Sequence, residues 1–177
     1  MLQLVNILIV PGAYLIGSIP PSIWIGRMFF NTDVRDYGSG NAGATNTFRV
    51  LGTKPGIIVF IIDLMKGFLA VNLATLNPAL SSNPEYFLTM QLILGVAAIL
   101  GHVFPLYVGF KGGKGVATLF GVILGISLLP TLIMAGVFFV TLFATRYVSL
   151  SSIIAGISFP ILTLIIFNSD ALPLVIF

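Results

Sequence analysis

The chain is built of long apolar runs without a single charged side chain, the longest lying between Lys114 and Arg146. About 20 such residues suffice for one helical crossing of a bilayer, where every backbone polar group is satisfied within the helix. Hydrophobic residues make up 58% of the chain and charged ones only 7%, against about a quarter charged in soluble domains. A water-facing surface cannot be covered with so few charges, which excludes a soluble enzyme and a disordered chain. A β-barrel would read as short alternating segments, and these runs are continuous. The expected fold is all-α: a polytopic integral membrane helical bundle.

The placement of basic residues orients it. The first run, residues 4–26, has neither a basic leader nor a small-residue cleavage site, so it reads as a retained span. Arg27, Arg35, Arg49 and Lys54 follow it. The positive-inside rule then puts the amino terminus outside and residues 27–55 in the cytoplasm. Further spans are expected at 55–76, 86–100, 115–129, 131–145 and 148–167, with Pro130 at a tight outer turn. Residues 77–85 carry two Asn-Pro pairs and no Lys or Arg, as suits an outer loop. That makes six complete spans. Another apolar run starts at Ala171 and reaches Phe177 after seven residues, where a span needs roughly 17. A seventh helix cut short at Phe177, with a missing carboxy-terminal segment, is the expectation. Residues 1–177 are otherwise expected to form a single membrane-embedded domain.

The thirteen charged residues, eight basic and five acidic, are concentrated. Eight lie between Arg27 and Lys66: Arg27, Asp33, Arg35, Asp36, Arg49, Lys54, Asp63 and Lys66. Among them runs Y-G-S-G-N-A-G-A-T-N-T-F-R (37–49), in which glycines alternate with hydroxyl and amide side chains. Backbone N–H groups exposed by Gly38 and Gly40, with Ser39, Asn41, Thr45, Asn46 and Arg49, can cradle phosphate oxygens. A plain solvated loop would not need that density of Gly, Asn and Thr. The match of G-S-G-N-A-G to a dinucleotide fingerprint is formal only, because no strand precedes it.

A second constellation is G-H-V-F-P (101–105) followed by G-F-K-G-G-K-G-V-A-T (109–118). Lys111 and Lys114, with Gly112 and Gly113 between them, stand immediately before a helix, a suitable anion site. Gly115 occupies the place of the Ser or Thr that a nucleotide-binding P-loop requires, and Val108 that of its first glycine. NTP hydrolysis is therefore disfavoured. Positive-inside anchoring would also explain the two lysines, but not the four glycines around them. His102 can serve as a base or border the substrate site, although a lone histidine more often fixes a loop. Asp63 and Lys66, at i and i+3 in an apolar segment, should pair on one helix face. A third segment, R-Y-V-S-L-S-S (146–152), reads first as an interfacial anchor and helix cap.

There is no cysteine and only one histidine, so thiol chemistry, a cysteine-ligated metal and a multi-histidine metal site are all excluded. No metal, cofactor, nucleic acid or obligatory protein partner is expected. Basic loops gathered at one membrane face suggest a phosphorylated small molecule meeting a lipid-soluble partner.

Together G-S-I-P (17–20), D-V-R-D-Y-G-S-G-N-A-G-A-T-N-T-F-R-V-L-G (33–52), D-L-M-K-G (63–67), the 101–118 segment and R-Y-V-S-L-S-S resemble the bacterial acyl-phosphate:glycerol-3-phosphate acyltransferase family (PlsY). The resemblance implies a seven-span enzyme of the bacterial inner (cytoplasmic) membrane with its site at the cytoplasmic face. Such an enzyme moves a fatty acyl group from acyl phosphate to the 1-position of glycerol 3-phosphate, giving lysophosphatidic acid and phosphate. By motif it implies Ser39, Arg49, Lys114 and Ser152 as catalytic residues, with Lys114 associated with glycerol 3-phosphate. Gly38, Gly40, Asn41, Thr45, Asn46, His102, Lys111, Gly112 and Gly113 are the candidate substrate-binding residues. The family's carboxy-terminal His/Asn/Glu segment, with a pattern like H-x-x-N-I-x-R, finds no match before Phe177. The main alternative is a transporter of a phosphorylated solute, whose sites should lie near the membrane midplane. A metal-dependent CDP-alcohol phosphotransferase needs clustered aspartates, which Asp33, Asp36, Asp63 and Asp170 do not form. A non-enzymatic assembly factor would not need the anion loops.

Overall fold

A computed structural model describes residues 2–81 and 83–167, all helix, turn and loop with no strand among them. The helices are α1 (Leu2–Gly17), α2 (Pro21–Phe30), α3 (Ala44–Leu51), α4 (Thr53–Asn72), α5 (Pro78–Ser81), α6 (Pro84–Val103), α7 (Val116–Ile126), α8 (Leu128–Thr145) and α9 (Val148–Phe167). The seventh helix expected from Ala171 lies outside the described residues. Two compact units emerge, Met1–Ile126 and Ser127–Phe177.

In the first unit α4 is central and packs on α1, α3, α6 and α7. Small residues make these approaches possible. A Cβ on Gly67 of α4 would strike the Thr118 carbonyl of α7, and one on Gly121 of α7 the Leu64 carbonyl. Ala13, Ala70, Ala74, Ala97 and Ala98 fill the core between α1, α4 and α6. Backbones drawn this close are how helices associate where lipid removes the hydrophobic drive. The outer surface is apolar: α4 exposes Ile57, Ile58, Ile61, Met65 and Leu69 while burying Asp63 and Lys66. Polar inside and apolar outside is the arrangement a lipid solvent selects. The second unit is the packed pair α8 and α9, joined through Arg146 in the left-handed conformation (φ 60°), whose N–H donates to the Leu142 carbonyl at 2.8 Å.

The expected spans hold best at α4, α6 and α8. Three described helices, Thr53–Leu76, Pro84–Val108 and Leu128–Thr145 with their appended turns, are long and apolar enough to cross a membrane. By that measure three of the expected spans stand among the described residues, or four if one bent pair is a single span. The first run is that pair, α1 and α2 meeting at a 42° bend rather than one straight span. Pro20 and Pro21 both lack an N–H, so the helical ladder cannot pass through them. The break expected at Pro130 falls instead at Ser127, and Pro130 sits in the first turn of α8. Proline is harmless there because the first N–H groups of a helix have no intrahelical acceptor. α7 then has 11 residues, short of a crossing by itself.

Candidate active site

Residues 31–43, between α2 and α3, are shaped by two side chains. Asp33 caps a 3-10 turn, Val34–Asp36, by accepting the Arg35 N–H at 3.0 Å. Its carboxylate also takes the Arg35 guanidinium (Nη2–Oδ2 2.8 Å) and that of Arg27 (2.8 Å). Hydrogen bonding to the Arg35 side chain holds the Asp33 carboxyl well below the usual carboxylate range, against the opposing effect of desolvation. The Asp33 carboxylate in turn raises Arg35. Arg35 Nη1 reaches across to donate to the Val108 carbonyl at 3.0 Å and that of Lys111 at 3.3 Å. It thereby ties the first loop to the second.

The other organiser is Asn46, buried at 2% exposure. Its Oδ1 accepts the Ser39 N–H at 2.9 Å, and its Nδ2 donates to the carbonyls of Val34 (2.7 Å) and Tyr37 (3.1 Å). Gly38 (φ +62°) and Gly40 (φ +71°) supply the left-handed turns on either side of Ser39. A side chain on Gly38 would also collide with the Asn46 amide. The loop therefore curls around Asn46 and turns Ser39 and Arg49 outward, both exposed. Arg49 runs along Gly38, its Cδ 3.3 Å from where a Cβ would stand. Asn41 Nδ2 donates to the Ser39 carbonyl at 3.2 Å and to Ser39 Oγ at 3.4 Å. Thr45 is exposed at the start of α3.

The second loop, residues 104–115, folds back on the end of α6. The Gly112 N–H donates to the Val103 carbonyl at 3.1 Å and the Gly113 N–H to the His102 carbonyl at 3.3 Å. These two amides are thus engaged with backbone. Their glycines serve close approach: a Cβ on Gly112 would strike the His102 carbonyl, and one on Gly113 the His102 ring. The Ala42 N–H donates to the Gly112 carbonyl at 3.3 Å and seams the two loops together. Lys111 and Lys114 are exposed on either side of this seam. A cavity of about 510 Å³ opens there, lined by Arg35, Asp36, Gly40, Val108, Gly109 and Lys111.

Beneath the seam lies a buried polar cluster. Lys66 Nζ pairs with Asp63 Oδ1 at 2.8 Å, as their spacing leads one to expect. His102 Nδ1 lies 3.4 Å from the same oxygen and 3.1 Å from Thr118 Oγ1. Ser152, in the second unit, donates its hydroxyl to the Val148 carbonyl at 2.8 Å within its own helix.

Ser39, Arg49, Lys111 and Lys114 are thus exposed, while Asn46 and His102 are buried and hydrogen-bonded and the Gly112 and Gly113 amides bond backbone carbonyls. Arg35 and Thr118 were not singled out from the sequence. The Asp-x-Arg spacing of residues 33–35, which suits a side-chain cap of a local turn, carried a signal for the first; nothing local marked the second. Among the described residues no three His, Cys, Asp or Glu side chains come together to hold a metal ion.

Comparison with known proteins bears on this arrangement. A relative named glycerol-3-phosphate acyltransferase from Staphylococcus carnosus is 51% identical over 155 residues, covering 87% of this chain and 77% of its own. One of the same name from Chlorobium phaeobacteroides is 47% identical over 163 residues, covering 88% and 68%. The crystal structure of PlsY, an integral membrane glycerol 3-phosphate acyltransferase, in its glycerol 3-phosphate form matches with a TM-score of 0.81 at 38% identity, over 97% of this chain and 82% of PlsY. Its lysophosphatidic acid form matches with a TM-score of 0.75 over 90% and 76%. With residues 7–177 matched by the model of the glycerol-3-phosphate acyltransferase family as well, the chain belongs to that family.

Proposed function

We infer that this protein is a bacterial membrane enzyme of phospholipid biosynthesis that acylates glycerol 3-phosphate to lysophosphatidic acid, with acyl phosphate as donor. The observation that carries the reading is the seam itself: exposed Arg49, Lys111 and Lys114 beside Ser39, on a chain whose relatives are named for this reaction. The acceptor's 1-hydroxyl oxygen attacks the acyl carbonyl carbon. The bond from that carbon to the phosphate oxygen breaks, inorganic phosphate leaves with the electron pair, and the hydroxyl proton is released. Phosphate is a good leaving group, so no covalent acyl-enzyme is needed. The site's work is alignment of the two substrates and stabilisation of developing negative charge.

In this reading Arg49 and Lys114 each neutralise one substrate phosphate, and Ser39 donates to a phosphate or to the developing oxyanion. Lys111, Thr45, Asn41 and the turns at Gly38 and Gly40 frame the pocket. Asn46, His102, Gly112 and Gly113 act by holding the loops. Ser152, on α9, is the fourth catalytic residue that the family motif implies. Six crossings of the inner membrane, an amino terminus outside, a site at the cytoplasmic face and one domain over 1–177 complete the proposal. The transporter alternative fits less well, because the exposed Arg49 lies at the end of short α3 and Lys111 and Lys114 on the second loop, not along a path between helices.

The test is direct. Purified protein is mixed with acyl phosphate and labelled glycerol 3-phosphate without added metal. Lysophosphatidic acid is the expected product. No product, combined with solute uptake into vesicles containing the protein, would replace this reading with transport.

A further inference from the structure

The Asp63–Lys66 pair is buried in α4, among lipid-facing Ile61, Met65 and Leu69 on the same helix, and no step of acyl transfer calls on it. A buried ion pair is weak evidence for stability, since desolvation can exceed the Coulombic gain. This one is also incompletely satisfied: Asp63 Oδ2 has no hydrogen-bond partner among the described residues. What the pair does connect is specific. Lys66 Nζ donates to the Ile19 carbonyl at 2.9 Å. That carbonyl is left over by the α1–α2 break, because the Ile23 N–H, its partner in a continuous helix, bonds Pro20 instead. Asp63 Oδ1 faces His102 Nδ1 at 3.4 Å, and Thr118 Oγ1 meets the same nitrogen at 3.1 Å. With its Nδ1 edge gripped by α4 and α7, the His102 ring presents Nε2 to the Cα of Gly113. The residue after Gly113 is Lys114.

We propose that Asp63 and Lys66 are positioning residues for the phosphate-binding loop, setting the His102 ring against Gly113 and so fixing where Lys114 stands. This rests on the acyltransferase reading and deepens it. The pair acts on one substrate, the one whose phosphate Lys114 receives, and not on the donor. Misplacing a binding group by about 1 Å can cost on the order of 10²-fold in rate, which leaves ample room for a tether with no contact to substrate.

The double variant Asp63→Asn with Lys66→Met removes both charges together, avoiding the lone buried charge either single change would leave. KM for glycerol 3-phosphate, KM for acyl phosphate, kcat and melting temperature are measured for it and for the wild type. The expected result is a melting temperature near wild type, a KM for glycerol 3-phosphate raised roughly tenfold and an unchanged KM for acyl phosphate. Wild-type values of both KM in the folded double variant overturn the proposal and leave the pair as scaffold, as does an equal rise in both. If the double variant does not fold, Thr118→Val decides. It removes the other grip on Nδ1 without a charge change, and a wild-type KM for glycerol 3-phosphate there overturns the proposal equally. Absence of product from the wild-type enzyme would instead sink the acyltransferase reading on which all of this stands.

Discussion

The two glycine-rich loops look alike as strings and are built in opposite ways. In residues 37–43 glycine is used for conformation: Gly38 and Gly40 adopt positive φ, and side chains (Asp33, Arg35 and Asn46) hold the result. In residues 109–115 the paired Gly112 and Gly113 are used for space, letting the chain lie directly on the His102 backbone and ring. The first loop keeps its polar side chains turned outward, while the second has committed two of its amides inward and offers its lysines instead. Similar composition therefore does not mean equivalent phosphate cradles. One presents a serine beside the arginine of α3, the other two ammonium groups.

The sharpest way to break this comparison is at Arg49, the α3 cation that lies along the first loop. Arg49→Ala should lower lysophosphatidic acid formation by on the order of 10²-fold or more, the cost of deleting a group that stabilises developing charge. Near-normal product formation by folded protein would remove Arg49 from the site. The glycines come next. Gly112→Ala places a methyl on the His102 carbonyl, a side chain against rigid backbone, and should cost about 1–3 kcal/mol of stability. Gly40→Ala meets no nearer neighbour than the Arg35 carbonyl at 3.6 Å, and should cost only the left-handed strain of roughly 1 kcal/mol. Melting the two variants side by side checks the order, and a larger loss at Gly40 would invert the assignment of conformation and space.

Lys114→Ala should raise KM for glycerol 3-phosphate by roughly tenfold, worth about 1.4 kcal/mol, with kcat less affected. An unchanged KM would move the lysine to the donor or to loop anchoring. The smallest effect belongs to Asp33. Its carboxyl titrates lower in the folded protein than in the unfolded chain. Its contribution is therefore complete above a pH of about 4, the unfolded value, and is lost as the pH falls through the lower folded value. The carboxylate is partly open to solvent, so screening keeps the gain modest. Asp33→Asn should accordingly reduce stability at neutral pH and leave it nearly unchanged in strong acid. Equal loss at both pH values would show that the aspartate acts by shape and not by charge.

Much of this was legible from residue order. Apolar runs dictated helices, and α9 begins where composition says it should. The i,i+3 spacing of Asp63 and Lys66 foretold their pair. Lys111, Lys114, Ser39 and Arg49 stand out as polar groups that an apolar chain keeps for a purpose. Other features were hidden for identifiable reasons. The bend in the first run needed the loss of two consecutive proline N–H groups to outweigh continuous hydrophobicity. Pro130 looked like a turn because proline usually punctuates, yet at the start of a helix its missing donor costs nothing. Thr118 looked like one more small helix residue.

The sequence by itself determined the solvent, the helical class and the sign of the loop charge, because each depends on composition or local spacing. Only the tertiary structure decided which glycine amides are already engaged, which asparagine brackets the first loop, and what the buried ion pair touches. Those outcomes depend on contacts between residues distant in the chain, Arg35 with Val108, Ala42 with Gly112 and Lys66 with Ile19, and no local pattern encodes which backbone atom a folded neighbour will bring within 3 Å or so.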